Sequence, residues 1–450
     1  MVTKPEIKTV EKPTFKEAFL FWLRLGFISF GGPTGQIAIM HEFLVDKKKW
    51  ISNSKFLHAL NYCMILPGPE AQQLAIYSGW LLHGKKGGLA AGILFVLPSV
   101  FILLGLSCLY VTFGKIPWVY SLFYGLKPAV VAIVILALIK IGKKSLNNWF
   151  AYLIALLSFV CIFFLKISFQ LIILGGIVIG FLGKTFFPDF FKSKTDSINK
   201  EDEDGYYINA NTIVPNVGFN FPRLIGQLFT GIVLWCIPII LFYYFTSDFK
   251  FWSQLSLFFT QAAFVTFGGA YSVLPYVAQV SVEKFSWLTS NQMIDGLALG
   301  ETTPGPLIMV LAFVGFMGGY NHFAFSISMG AVALFTTVYF TFMPCFLFVF
   351  IGAPIIERTQ HNLNVKAVLS LVTATVTGVI LNLTVFFAKA VVFTDTNDIF
   401  HHIDYFCLSW IMISFIVMYK FKIGMIPWIG ISALAGLAYY IIMKQIIVLP

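Results

Sequence analysis

Charge is scarce in this sequence. Only 11% of its 450 residues are Asp, Glu, Lys or Arg, against roughly 25% in soluble domains. A chain so poor in charge cannot cover a water-facing globule of this length. Catalytic patterns are missing too: there is no HExxH, GxSxG or Walker A run, so neither a nucleophile–base set nor an ATP site is readable. That argues against a primary pump and makes an enzyme, for example one reducing an oxyanion or acting on lipid, the weakest reading. The six cysteines (Cys63, Cys108, Cys161, Cys236, Cys345, Cys407) are scattered, lie mostly inside apolar runs and form no CxxC. They read as small core residues rather than disulfides or metal ligands. His401 and His402 are adjacent but do not make a metal site alone, and no cofactor is implied. The amino-terminal stretch 15–30 is too polar for a secretory signal and lacks a small-residue cleavage site.

What the chain has instead is apolar length. It is 58% hydrophobic, with long runs such as GILFVLPSVFILLGLSCLYV (92–111), LFTGIVLWCIPIILFYYF (228–245) and AVLSLVTATVTGVIL (367–381). A bilayer span needs about 20 mostly apolar residues, and about eleven to thirteen segments approach that rule. The pattern predicts an all-α polytopic membrane protein, in contact with lipid. A membrane barrel would show short alternating segments. The net charge of +10 fits Lys and Arg in cytoplasmic loops better than nucleic-acid binding.

The chain is duplicated. FISFGG (27–32) matches FVTFGG (264–269), PGP (67–69) matches PGP (304–306), and Trp50 falls on Trp287, all at an offset of 237. Val45, Lys47 and Leu60 are also identical across that offset. Further on, VLPS (96–99) resembles FMPC (342–345) at an offset of 246. The predicted organisation is a first repeat over 1–187, a polar linker over 188–223 with an acidic run at 201–204, a connecting membrane helix over 224–250 and a second repeat over 251–450. Duplicated halves in a membrane protein most often mean a transporter. Lys47–Lys49, Lys85 and Lys86 flank the first PGP segment, whereas EKFSW (283–287) and MGGYNH (317–322) flank the second. The positive-inside rule then sets the two units in opposite orientations, as inverted repeats.

Each PGP breaks an otherwise helical apolar segment, NYCMILPGPEAQQLAIYSGW (61–80) and LALGETTPGPLIMVLAFVGF (297–316). Pro removes a helical hydrogen bond, and freed backbone groups survive in a membrane only inside protein or at a wet cavity. Paired broken segments point to a central substrate site. A half-helix starting at Pro69 or Pro306 would aim free N–H groups and a positive dipole end at an oxyanion. The alternative is that PGP and FGG merely permit kinks and close helix packing.

Candidate substrate-contacting residues are therefore Gly31, Gly32, Gln36, Pro67, Gly68, Pro69, Gln72 and Gln73 in the first half. In the second they are Gly268, Gly269, Thr302, Thr303, Pro304, Gly305 and Pro306. Glu70 and Glu301 flank the two breaks but are not repeat equivalents. A carboxylate inside a membrane is by default functional and marks a proton carrier, although Glu70 would also complement a helix dipole. Arg24 interrupts an apolar run and suits bidentate oxyanion binding. Asn61, Lys127, Lys366 and a His41–Glu42 pair are weaker candidates. Segment 36–56 is amphipathic and basic, as a helix lying on the membrane surface would be.

FISFGGPTGQIAIMH, ALNYCMILPGPEAQQLAIYSGWLLHGKKGG, FVTFGGAYSVLPYVAQ and QMIDGLALGETTPGPLIMVLAFVGFMGGY closely resemble the chromate ion transporter family, in its long two-domain form. The resemblance covers both halves. It implies antiparallel halves and a multi-pass anion carrier of the cytoplasmic membrane that extrudes chromate and handles sulfate as a structural mimic. A homodimer is one further expectation. An anion channel of the same architecture, or a sulfate carrier without a chromate role, are the alternatives.

Overall fold

The computed structural model describes residues 11–30, 32–186, 205–209, 212, 218–267, 269–356, 363–393 and 403–448. Among them the regular structure is helical, with two isolated bridges. The first half contains α1 (Phe15–Ile28), α2 (Gly32–His41), a π-turn (Glu42–Lys47), α3 (Asn53–Cys63), α4 (Glu70–Phe113), α5 (Pro117–Ser145), α6 (Trp149–Phe163) and α7 (Phe169–Phe186). α8 (Phe221–Phe245) stands between the halves. The second half contains α9 (Phe249–Val265), α10 (Leu274–Gln279), a π-turn (Val280–Lys284), α11 (Ser290–Thr302), α12 (Val310–His322), α13 (Ile327–Ile356), α14 (Leu363–Val392), α15 (Tyr405–Lys420) and α16 (Met425–Val448).

Local chemistry recurs at the sequence offset. α3 is capped by the Ser52 hydroxyl and α11 by the Thr289 hydroxyl, and 289 − 52 = 237. Such side chains satisfy first-turn N–H groups that have no partner inside the helix. Lys49 and Ser286, also 237 apart, both take left-handed backbone with φ of 51° and 52°. Each lies just after a π-turn.

The PGP segments are reversals, not kinks. Gly296 packs on Phe313 and Gly300 on Val310, across the second PGP. In one continuous helix residues 296 and 313 would stand about 25 Å apart, at 1.5 Å per residue. α11 therefore descends, turns at 303–306, and α12 returns beside it. The first PGP does the same: the Tyr62 and Tyr77 rings lie 5.8 Å apart, where a continuous helix would separate them by about 22 Å. α4 reverses again at His83 and Gly84, the latter at φ +61°, so 70–82 packs antiparallel against 85–113. Gly79 and Gly87 touch backbone to backbone there, and a methyl on either would overlap the other.

Six described helices are long and apolar enough to cross a bilayer: α4, α5, α8, α13, α14 and α16. Four shorter apolar helices, and α9 with the segment after it bent by 120°, account for the other apolar runs. The buried core lies where the re-entrant hairpins meet: α11 and α12 are almost wholly buried. α8 is the opposite. Phe229, Ile232, Ile240 and Leu241 are exposed along it, the surface of a helix bathed in hydrocarbon.

Segment 36–56 is not one surface helix. It is split among α2, the π-turn and the start of α3, and Met40, Leu44, Val45, Trp50 and Ile51 are buried. Its apolar side meets protein, so it does not lie free on lipid. Part of the linker folds onto it: the Ile208 N–H donates to Trp50 O, and the Ser52 N–H donates to Ile208 O. The acidic run at 201–204, His401 and His402 lie outside the described residues.

Candidate functional site

The two hairpin tips meet the bends of the opposite halves. The Gly68 N–H donates to Thr266 O at 2.7 Å, and the Gly305 N–H donates to Ser29 O at 2.7 Å. Both donors and both acceptors are 237 residues apart, so the exchange is reciprocal. Gly68 and Gly305 have φ of +123° and +97°, backbone that side chains rarely adopt. Space is short as well. A methyl on Gly68 would crowd Cys345 Sγ, and one on Gly305 would overlap Ser99 Oγ. Ser99 and Cys345 are the last residues of the matched VLPS and FMPC runs.

These reversals bring helix starts to one place. α2, α4 and the 3-10 turns Ala270–Ser272 and Leu307–Met309 all begin just after a bend or tip. Their first-turn N–H groups lack intrahelical partners. The helices that arrive there bring carbonyl ends too, which would repel an anion. Several of those carbonyls are occupied. Gln36 Nε2 donates to Gly305 O at 2.6 Å and to Ser29 O at 3.3 Å. Gln73 Nε2 donates to Pro67 O at 2.6 Å, and Ser99 Oγ to Pro304 O at 2.6 Å. The Thr302 and Thr303 hydroxyls donate to Leu299 O and Gly300 O. Several carbonyls at the crossing are thus occupied by side-chain donors, while the helices that begin there keep first-turn N–H groups without intrahelical partners. Pro69 and Pro306 cap the returning segments in extended backbone, one position earlier than a first-turn proline. Glu70 then opens α4.

Residues on or beside the bends and tips carry buried polar atoms without partners. They are Ser29 Oγ, Gln36 Oε1, Gln73 Oε1, and both amide atoms of Gln72. Buried polar groups are normally hydrogen-bonded, so this set calls for water or a polar ligand. Glu301 is buried and accepts from the Tyr271 hydroxyl at 2.6 Å. That bond ties the second hairpin tip to the bend that follows Gly269. The corresponding first-half positions are Met64 and Thr34, so the carboxyl is a single-copy feature of a duplicated frame.

Other candidates stand elsewhere. Arg24 is exposed on α1, on the side away from Trp22 and Leu25. Asn61 is exposed on α3. His41 and Glu42 do not pair with each other: His41 faces Asp46 at 3.3 Å and Asn53 at 2.9 Å, and Glu42 bonds Lys47 at 2.7 Å. Adjacent residues on a helix point apart, which the sequence expectation overlooked. Gly31, Gly268 and the side chain of Lys366 lie outside the described residues.

One group escaped sequence reasoning. Asp295 on α11 is buried beside Lys127 of α5, at 3.9 Å, and accepts from the Tyr110 hydroxyl at 2.9 Å. Lys127 also donates to Asn291 at 3.3 Å and lies 5.5 Å from the Tyr120 ring centroid. The available signal was an Asp inside the apolar run QMIDGLALG. Among the described residues no group of His, Cys, Asp and Glu is arranged to hold a metal ion.

No solved structure matches this chain. Curated sequences do. A chromate transport protein of Cupriavidus metallidurans is 28% identical over 387 residues, 85% of either chain. One from Pseudomonas aeruginosa is 28% identical over 369 residues, 82% of this chain and 79% of its own. An uncharacterised transporter of Bacillus subtilis is 28% identical over 182 residues, which are 40% of this chain but 90% of that protein. The chromate transporter family model matches residues 16–181 and 253–437, so both sets of bends and tips fall inside it, and the chain belongs to the chromate transporter family.

Proposed function

We propose that this protein is a secondary transporter that moves chromate across the cytoplasmic membrane by alternating access. The oxyanion binds where the hairpin tips and bends cross. The reciprocal pair of bonds, Gly68 to Thr266 and Gly305 to Ser29, carries this reading. It makes the crossing a joint between the halves, so opening toward one face closes the other. Two-fold exchange, with the Lys-rich first hairpin opposed to a Lys-poor second one, supports inverted repeats. Backbone N–H groups and helix ends recognise a tetrahedral dianion by charge and shape, so sulfate competes as a mimic.

Glu301 couples transport to protons. An ionised carboxylate near the crossing repels a dianion, so the site loads anion when Glu301 is protonated and releases it when Glu301 ionises. Counter-flow in proteoliposomes tests the transport claim: internal unlabelled chromate should drive saturable uptake of labelled chromate against its gradient. Non-saturating flux that never runs uphill would make the protein a channel and overturn alternating access.

A further inference from the structure

A basic cavity lies away from the crossing. At the far end of the helix 70–82, a cavity of about 960 Å³ is lined by Lys12, Lys85, Lys86 and Arg223, with His83 beside them. No carboxylate lines it among the described residues. The reversal at Gly84 builds it. With φ +61°, the chain turns there, and the tight Gly79–Gly87 contact holds the two arms together. The turn presents Lys85 and Lys86 at the mouth. The Pro13 carbonyl fixes His83 by a 2.9 Å bond from Nε2, drawing the amino-terminal segment with Lys12 over the cavity. Trp80 forms part of the wall, and the linker closes another side through Tyr207, itself bonded to Lys49 O.

We propose that this cavity is an anion antechamber on the cytoplasmic face, which captures hydrated oxyanion before it reaches the crossing. The inference rests on the transport reading above. Three observations support it. The volume is many times that of a tetrahedral oxyanion, so the ion enters with its water, and binding is weak and electrostatic rather than tight. Three lysines, Lys12, Lys85 and Lys86, converge in a walled space, where low-dielectric walls focus the field and raise local counter-ion concentration. The helix 70–82 starts at the first hairpin tip and ends at this cavity, so the two sites sit about 20 Å apart along one element.

The test uses the full chain in proteoliposomes and in oriented membrane vesicles. K85Q/K86Q, alone and combined with K12Q, should raise the KM for chromate presented on the cytoplasmic face by about 3- to 10-fold at low ionic strength. Vmax should hold, and wild type and variant should converge as salt screens the field. K85R/K86R should restore the wild-type KM. Chromate presented on the opposite face should show no change. A readout independent of transport is chromate quenching of tryptophan fluorescence, compared between the wild type and W80F; the Trp80 share should titrate with chromate and vanish in K85Q/K86Q. Quenching with no transport would sink the transport reading but leave an anion site in the cavity. An unchanged KM and salt dependence in the neutralised variants would overturn the proposal. So would a KM effect that disappears in vesicles of pure phosphatidylcholine, because the cavity would then hold an anionic lipid headgroup.

Discussion

At the scale of single residues, charge is rationed, and buried Glu301, Asp295 and Lys127 are each tied to a named partner. Glu301 has the Tyr271 hydroxyl. Glu301→Gln keeps an acceptor for that hydroxyl and mimics the protonated carboxyl. It should retain chromate–chromate exchange in proteoliposomes and lose the pH dependence of net transport. Full pH-dependent, proton-driven transport in that variant would remove Glu301 from the coupling. Asp295 and Lys127 make a different case. Asp295→Asn leaves Lys127 buried without its counter-charge, and uncompensated buried charges cost about 3–5 kcal/mol. The melting temperature in detergent should fall sharply. The double variant D295N/K127M should recover most of it, since removing both charges also removes both desolvation costs. If the recovered double variant transports normally, the pair is structural alone. Glu301 was legible as a carboxyl beside a helix break. Asp295 was written just as plainly, but its meaning depends on Lys127, 168 residues away, and no local pattern joins them.

At the scale of elements, the hairpin tip is the feature most open to test. Gly305→Ala should reduce transport severely while membrane insertion persists, because it forces a methyl into Ser99 and strains left-handed backbone by about 1–3 kcal/mol. S99G/G305A should regain part of the folding yield by removing the clash, but not all of it, because the strain remains. Pro304→Ala with Gly305→Ala should not straighten the hairpin. The arms are held by Gly296 against Phe313 and Gly300 against Val310, so the lost function would come from a misplaced tip. Gly296→Leu should splay the arms instead, read out as loss of protease resistance in α11 and α12. The sequence announced that a break occurs at each PGP but not its angle. A proline and a positive-φ glycine permit both a kink and a reversal, and the small residues that select the reversal, Gly296 and Gly300, lie one to two turns before the break, where they admit Phe313 and Val310 of the other arm.

At the scale of the whole molecule, the halves are not neighbours that merely touch. Each completes the backbone hydrogen bonding of the other. The duplication was legible because a constant offset needs no three-dimensional knowledge. The cross-bracing was not, since the Gly68–Thr266 bond spans 198 residues, 266 − 68. Cut in the linker and co-expressed, the two halves should reassemble in one membrane and recover transport, whereas either alone should be degraded. Recovery from the first half alone would show that the crossing is dispensable.

The same bond has a consequence for biogenesis. Ribosomes add about 5–20 residues per second, so Gly68 emerges some 10–40 s before Thr266 exists. Throughout that interval the first hairpin tip has a backbone donor and no acceptor, in a solvent where such a group costs several kcal/mol. The nascent first half must therefore keep its tip hydrated, at the insertion machinery or at the lipid headgroups, until the second half arrives. Slowing translation within α8 should prolong that exposure and increase degradation of the chain, even though no residue of the finished protein has changed.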